Sequence, residues 1–102
     1  MILTKVTGTT FNKRQDTIKE LYKRGILQKD ALVTLTHEPE CKFDSNARRC
    51  ELSGYTIGYL DKEVAEICSI MAERGVYYIG IVDYIGTFDG KIGIRIALKR
   101  LE

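Results

Sequence analysis

His37-Glu38-Pro39-Glu40-Cys41-Lys42-Phe43-Asp44-Ser45-Asn46-Ala47-Arg48-Arg49 holds the only proline of the chain and, within a few residues of it, an aromatic ring, an amide, carboxylates and two guanidiniums. Pro39 has no N–H to give a helix, and it pushes Glu38 towards extended geometry. Asp44-Ser45-Asn46 is turn chemistry, because these short polar side chains hydrogen-bond their own backbone. The stretch therefore reads as an ordered loop between two strands, with Phe43 and Asp44 side by side at a bend. One reading tucks Phe43 into the core and uses Asp44 to cap the turn. The other displays both to a ligand, and these residues alone leave the choice open.

Working outward, Ala31 to Glu38 alternates Val33, Leu35 and His37 against Leu32, Thr34, Thr36 and Glu38, the period of a half-buried strand. On the far side of the loop, Arg48–Leu52 and Tyr55–Leu60 flank Ser53-Gly54, a two-residue hairpin signal. That turn predicts the pairs Leu52–Tyr55, Cys50–Ile57 and Arg48–Tyr59, with the first two in the core and Arg48 stacked over the Tyr59 ring. The N-terminal run Ile2 to Phe11 predicts a strand interrupted at Gly8. A helix is expected from Lys13 or Thr17 to Arg24, capped by Asn12 or Asp16. It would bury Ile18, Leu21 and Tyr22 and end at Gly25. A second helix is expected after Asp61, with Val64, Ile67, Cys68 and Met71 on one face and Gly75 as its stop.

Asp89-Gly90 is the strongest turn signal in the chain and predicts a long hairpin from Val76–Phe88 to Lys91–Arg100. Its inward residues are Ile92, Ile94, Ile96 and Leu98, opposite Thr87, Ile85, Asp83 and Ile81. Its outer face pairs Phe88 with Lys91, Gly86 with Gly93, Tyr84 with Arg95 and Gly80 with Lys99. A carboxylate facing Ile96 is wrong for a core, so a bulge is expected near Asp83-Tyr84. The glycines at 80, 86 and 93 suit a strongly bent sheet.

The composition restricts the function classes. One domain is expected over residues 1–102, with Leu101-Glu102 having the character of a cloning scar. Sixteen basic and 14 acidic residues give a net charge of +2, so a polyanionic partner would need a local patch. Three cysteines, at 41, 50 and 68, without a CxxC pair or a signal-peptide pattern, predict a reducing cytoplasm and no disulfide framework. No apolar run approaches the ~18 residues that span a bilayer, so no membrane partner is expected. His37, Cys41 and Cys50 lack a fourth ligand and match no standard zinc spacing. No metal or other cofactor is expected. Asp44, Asp61 and Glu63 are the residues a metal-dependent nuclease would use, but Asp61 and Glu63 are explained by a helix N-terminus, and no nucleophile–base spacing is visible. The expectation is a non-enzyme.

The elements combine into a mainly β, α+β chain, a small curved antiparallel barrel with two helices. Its surface sets Phe11, Phe43, Tyr59 and Tyr84 beside arginines and lysines, which suits single-stranded nucleic acid, whose bases stack and whose backbone is anionic. A protein- or peptide-binding β-module using the same aromatics is the alternative.

Val6-x-Gly8-x-x-Phe11, Leu35-x-x-Glu38-Pro39 running into Phe43-Asp44-x-Asn46-Ala47, and Ile57-Gly58-Tyr59-Leu60 before a helix together resemble a HIRAN domain. Members of that family carry an EPxNPYDxNAIxV segment followed by an IGYI-type segment. The resemblance implies a modified OB-like barrel that binds DNA and prefers single-stranded 3′ ends, in repair or replication-fork processing and alongside other repair proteins. It implies that Phe43 and Tyr84 stack on bases, that Asp44 meets the terminal hydroxyl, and that Phe11, Asn46 and Tyr59 line the cleft. Arg14, Lys42, Arg48 and Arg95 are expected to border it and contact phosphates. The chain departs from the pattern at Cys41-Lys42, where the family has Asn-Pro, at Arg48, where it has an apolar residue, and at Thr10, a position that is basic in some members.

Overall fold

The computed structural model describes residues 1–101. Its strands are β1 (Ile2–Thr7), β2 (Leu32–His37), β3 (Arg48–Leu52), β4 (Tyr55–Leu60), β5 (Tyr77–Phe88) and β6 (Lys91–Leu101). Its helices are α1 (Arg14–Lys23) and α2 (Lys62–Glu73), with a single 3-10 turn at Phe11–Lys13. The strands close into a barrel in the order β1-β4-β3-β2-β5-β6, each neighbouring pair antiparallel. This is the mainly β, two-helix, OB-like barrel that the sequence predicts. Leu101 pairs with Tyr77 at the end of β6, and Glu102 lies outside the described residues.

Closure depends on β1, which pairs with β6 from Ile2 to Lys5 and with β4 at Val6 and Thr7. Gly8, at φ +68, then ends the strand, and its carbonyl accepts the Phe11 N–H at 3.2 Å. Phe11 thus begins the 3-10 turn instead of finishing the strand. The expected Asn12 cap does not form. Lys13, at φ +60, occupies the N-cap position without a side-chain bond. The amide of Gln15 reaches across to β6 instead, donating to the Ile92 carbonyl at 2.9 Å and accepting the Ile92 N–H at 2.8 Å. Ile18 and Leu21 are buried beneath α1, whereas Tyr22 is exposed. After Gly25, both Ile26 and Leu27 donate back to the Leu21 carbonyl, which turns Leu27 into the core.

A bulge in each hairpin decides which side chains face out. In β5–β6 the pairs Phe88–Lys91, Gly86–Gly93 and Tyr84–Arg95 are those the Asp89-Gly90 turn predicts. Asp83 is then extra, so Val82 meets Ile96 and Gly80 meets Leu98 rather than Lys99. The bulge keeps the Asp83 carboxylate out of the core and lets it pair with Arg95 at 2.8 Å. In β3–β4 Leu52 meets Tyr55 as expected, but Ile57 is extra, and Cys50 pairs with Gly58 and Arg49 with Tyr59. The predicted pairs Cys50–Ile57 and Arg48–Tyr59 are therefore not formed, and Tyr55 is exposed. The cause lies at Gly58, with φ +153. A Cβ there would sit 2.3 Å from the Thr7 carbonyl oxygen, so only glycine lets β1 cross this close.

α2 follows Asp61, whose carbonyl accepts the Ala65 N–H and whose carboxylate makes no cap. Its buried face runs through Ala65 and Cys68, leaving Ile67 exposed where the periodicity had placed it inside.

Candidate nucleic-acid interface

The loop after β2 is braced at every turn. Glu38 N–H donates to the Ala47 carbonyl at 2.9 Å, Cys41 N–H to Glu38 at 3.1 Å and Ala47 N–H to Asp44 at 3.0 Å. The His37 ring donates Nε2–H to the Ser45 carbonyl at 2.8 Å. On this frame Phe43 is 92% exposed, which ends the reading of it as a core residue. Asp44 does serve the turn, its Oδ1 accepting the Asn46 N–H at 2.9 Å. Its Oδ2 has no hydrogen-bond donor among the described residues. Lys42 is exposed beside the ring, and the backbone of Asn46 is spent within the loop.

Glu38 ties the loop to the barrel wall. Its Oε1 accepts the Tyr59 hydroxyl at 2.8 Å and its Oε2 pairs with Arg49 at 2.6 Å. Arg49 also lies 3.5 Å from Glu51, which accepts the Thr36 hydroxyl at 2.7 Å. The Glu38 bond, followed by burial, holds the Tyr59 phenol above its ordinary range. Arg14 lies over Tyr59 at 5.2 Å and over Phe11 at 5.7 Å, with its Nη1 donating to the Gly8 carbonyl at 2.9 Å. Such a stack is worth about 0.5–1 kcal/mol per ring where solvent reaches it.

A second aromatic cluster stands on β5–β6. Tyr84 is 59% and Phe88 65% exposed. Their rings lean over Gly86 and Gly93, where added Cβ atoms would come within 2.8 Å of Tyr84 and 3.1 Å of Phe88. The concavity there, about 340 Å³, includes Lys5 and Arg95 in its wall. Arg95 lies 5.4 Å over the Tyr84 ring and is held by Asp83. Strand register joins the two clusters. Tyr84 pairs with Arg95, Arg95 with Lys5, and two residues along β1 Thr7 pairs with Tyr59. Phe11, Arg14, Tyr59, Lys5, Arg95, Tyr84 and Phe88 therefore share one outer surface, with Phe43 at its loop end.

No family model matches the sequence, and no curated protein matches it. Among solved structures the chain is similar to the HIRAN domain of human HLTF, at a TM-score of 0.62 and 21% identity, over 95% of this chain and 73% of that one. The fold is that of a HIRAN domain.

On this HIRAN fold the expected site residues separate. Phe11, Arg14, Phe43, Tyr59, Tyr84 and Arg95 come together on the outer surface, with Lys42 and Asp44 in the adjoining loop. Arg48 does not join them. The β4 bulge puts Arg49 opposite Tyr59, and β3 turns Arg48 inward, where it is only 7% exposed. Its place over Tyr59 is taken by Arg14. Arg49, Glu38, Lys5 and Phe88 were not picked out from the sequence. Strand alternation could have found two of them, because Lys5 shares a face with Thr7 and Phe88 with Tyr84. Among the described residues no three or more His, Cys, Asp or Glu side chains gather as metal ligands. No helix is long and apolar enough to cross a membrane.

Proposed function

We propose that the chain is a non-catalytic module that binds single-stranded DNA at its 3′ end, in the service of repair or fork processing. The observation that carries this reading is Phe43, 92% exposed on a loop whose two turns are closed by backbone hydrogen bonds, Cys41 to Glu38 and Ala47 to Asp44. Holding a large ring in water on a rigid support has no folding advantage, whereas it provides a stacking platform at no ordering cost. Tyr84 and Phe88 continue the platform, and Lys5, Arg14 and Lys42 supply charge for a backbone. A carboxylate in such a cleft repels phosphates, so Asp44 fits only where the strand presents none. A terminal 3′-hydroxyl is such a group, and it can donate to the free Oδ2 in a charge-assisted bond worth about 1.5–3 kcal/mol.

The test is binding of one labelled oligonucleotide ending in 3′-hydroxyl, ending in 3′-phosphate, or circularised. Wild type is expected to prefer the 3′-hydroxyl form by tenfold or more. Asp44→Asn, which keeps the turn acceptor, narrows the gap from both sides by weakening the hydroxyl complex and relieving repulsion of the phosphate. Equal binding of all three strands by wild type would remove end recognition and leave Asp44 as a turn residue.

A further inference from the structure

Two adjacent arginines on β3 have opposite surroundings. Arg49 faces out and is matched by Glu38 and Glu51. Arg48 faces in, is 7% exposed, and has no carboxylate within 4 Å among the described residues. Its Nη1 donates to the Asn46 carbonyl at 2.7 Å, and no other hydrogen bond of the guanidinium is present among those residues. Burial lowers its pKa, against a smaller opposing influence from Cys68 and Asp44, so the protein bears a cost for keeping this cation inside. An apolar side chain of the same size is commonly the more stable choice at an inward-facing position. The family that the sequence resembles has an apolar residue at this position.

The guanidinium does not meet a solid core. It lines a cavity of about 330 Å³ where α2 meets β2, β3 and β5, together with Leu35, His37, Cys68, Ala72 and Tyr78. The walls are mainly apolar, with the Arg48 guanidinium as their cation, and the His37 Nε2–H is already given to the Ser45 carbonyl. The volume lies at the small end of ligand clefts, which run from ~300 to 1,000 Å³, and is too small for a peptide segment with several ordered residues. A planar guanidinium with one nitrogen anchored presents its remaining N–H groups in the fork that matches a carboxylate.

We propose that this cavity binds a small monocarboxylate with an apolar body, the carboxylate seated on Arg48 and the body against Leu35, Ala72 and Tyr78. The site lies behind the loop that carries Phe43 and Asp44, anchored to it through the Asn46 carbonyl, and its ligand is not DNA.

Benzoate is the probe, with benzamide as its uncharged isostere and inorganic phosphate as a compact anion. Wild type is expected to bind benzoate saturably and to melt at a higher temperature in its presence. Benzamide and phosphate should bind at least tenfold more weakly. Arg48→Met should lose benzoate binding by tenfold or more while melting no lower than unliganded wild type. Ala72→Leu, which fills the cavity without touching the cation, should abolish binding and covers the case in which Arg48→Met does not fold. Benzamide or phosphate equal to benzoate, or undiminished binding in either variant, overturns the proposal, as does an absence of benzoate binding by wild type.

Discussion

The two aromatic clusters on the outer surface use the same residue types in opposite ways. Around Tyr59 each polar group is tied. The phenol donates to Glu38, Glu38 pairs with Arg49, and Arg14 is fixed to the Gly8 carbonyl while it covers both Tyr59 and Phe11. Around Tyr84 only the cation is tied, through Asp83; Arg95 lies over the Tyr84 ring, the Tyr84 hydroxyl makes no hydrogen bond among the described residues, and Phe88 rests on Gly93. The first cluster fastens the loop and β1 to the barrel wall. The second is a stacking surface that the fold does not consume. Resemblance of composition between two patches thus says little about availability; the hydrogen-bond accounting separates them.

The largest effect that can test this contrast is at Gly58, which seals β1 against β4 beside the first cluster. Gly58→Ala puts a Cβ against the Thr7 carbonyl and Val6 and strains the backbone, costs of about 1–3 kcal/mol each. Chemical denaturation should show a marked loss of stability, and an unchanged midpoint would mean that the seam is not what fixes the register. Next come the open rings. Tyr84→Ala should cost ~1–3 kcal/mol of single-strand affinity with little change in melting temperature, and Phe43→Ala the same. Phe11→Ala should lose less affinity, because that ring belongs to the cluster that fastens β1 through Arg14 and the Gly8 carbonyl. If Phe11→Ala proves the more damaging to binding, the assignment of the two clusters is reversed.

Tyr59→Phe keeps the ring under Arg14 and removes the donor to Glu38, for an expected loss of ~1 kcal/mol in stability. DNA affinity should stay near wild type. The smallest effect concerns Cys50, a fully buried core residue of β3. Burial pushes the Cys50 thiol from 9.0 up to about 12. The folded protein therefore holds this proton more tightly than the unfolded chain. The stability it contributes is complete below pH 9.0 and is lost as pH rises from there through about 12. Cys50→Ala should flatten the alkaline arm of a stability–pH curve. At neutral pH a thiol reagent should label the partly exposed Cys41 readily, and the fully buried Cys50 only on unfolding.

The sequence made the β5–β6 hairpin legible because two signals agreed. Asp89-Gly90 fixes the register from one end, and Asp83 declares a bulge because a carboxylate opposite Ile96 has nowhere else to go. The β3–β4 bulge lacked such a declaration. Ile57 and Gly58 are both buried, so alternation alone could not say which was extra, and the slip moved Tyr59 from the inward face it would share with Arg48 to the outward face of Arg49. Gly58 was the available clue, since a glycine within a strand marks a bulge or a close approach. Phe11 was placed on the strand rather than after it for a similar reason, the positive φ of Gly8 being the stop. Phe43 and Asp44 stand at the bend that Asp44-Ser45-Asn46 predicts, but the exposure of Phe43 depends on hydrogen bonds at Glu38, Ala47 and Ser45 that no local pattern reveals.

The bulge at Asp83 also divides the longest hairpin into two mechanical regions. Below it β5 is flanked by β2 and β6, and β6 by β1, so their backbone groups are spent on both sides. Above it, from Tyr84 to Ile94, the two strands pair only with each other, but Gln15 of α1 takes both backbone groups of Ile92 and the side chains of Ile92 and Ile94 are buried, which leaves the β5 side of the turn as the open edge. A closed ring gives a second copy no edge to extend, so any strand-to-strand association between chains is channelled to this tip, where Lys91, Asp89 and the bulge itself oppose a flat match. The same tip can carry an added reporter or a lengthened turn without altering the core.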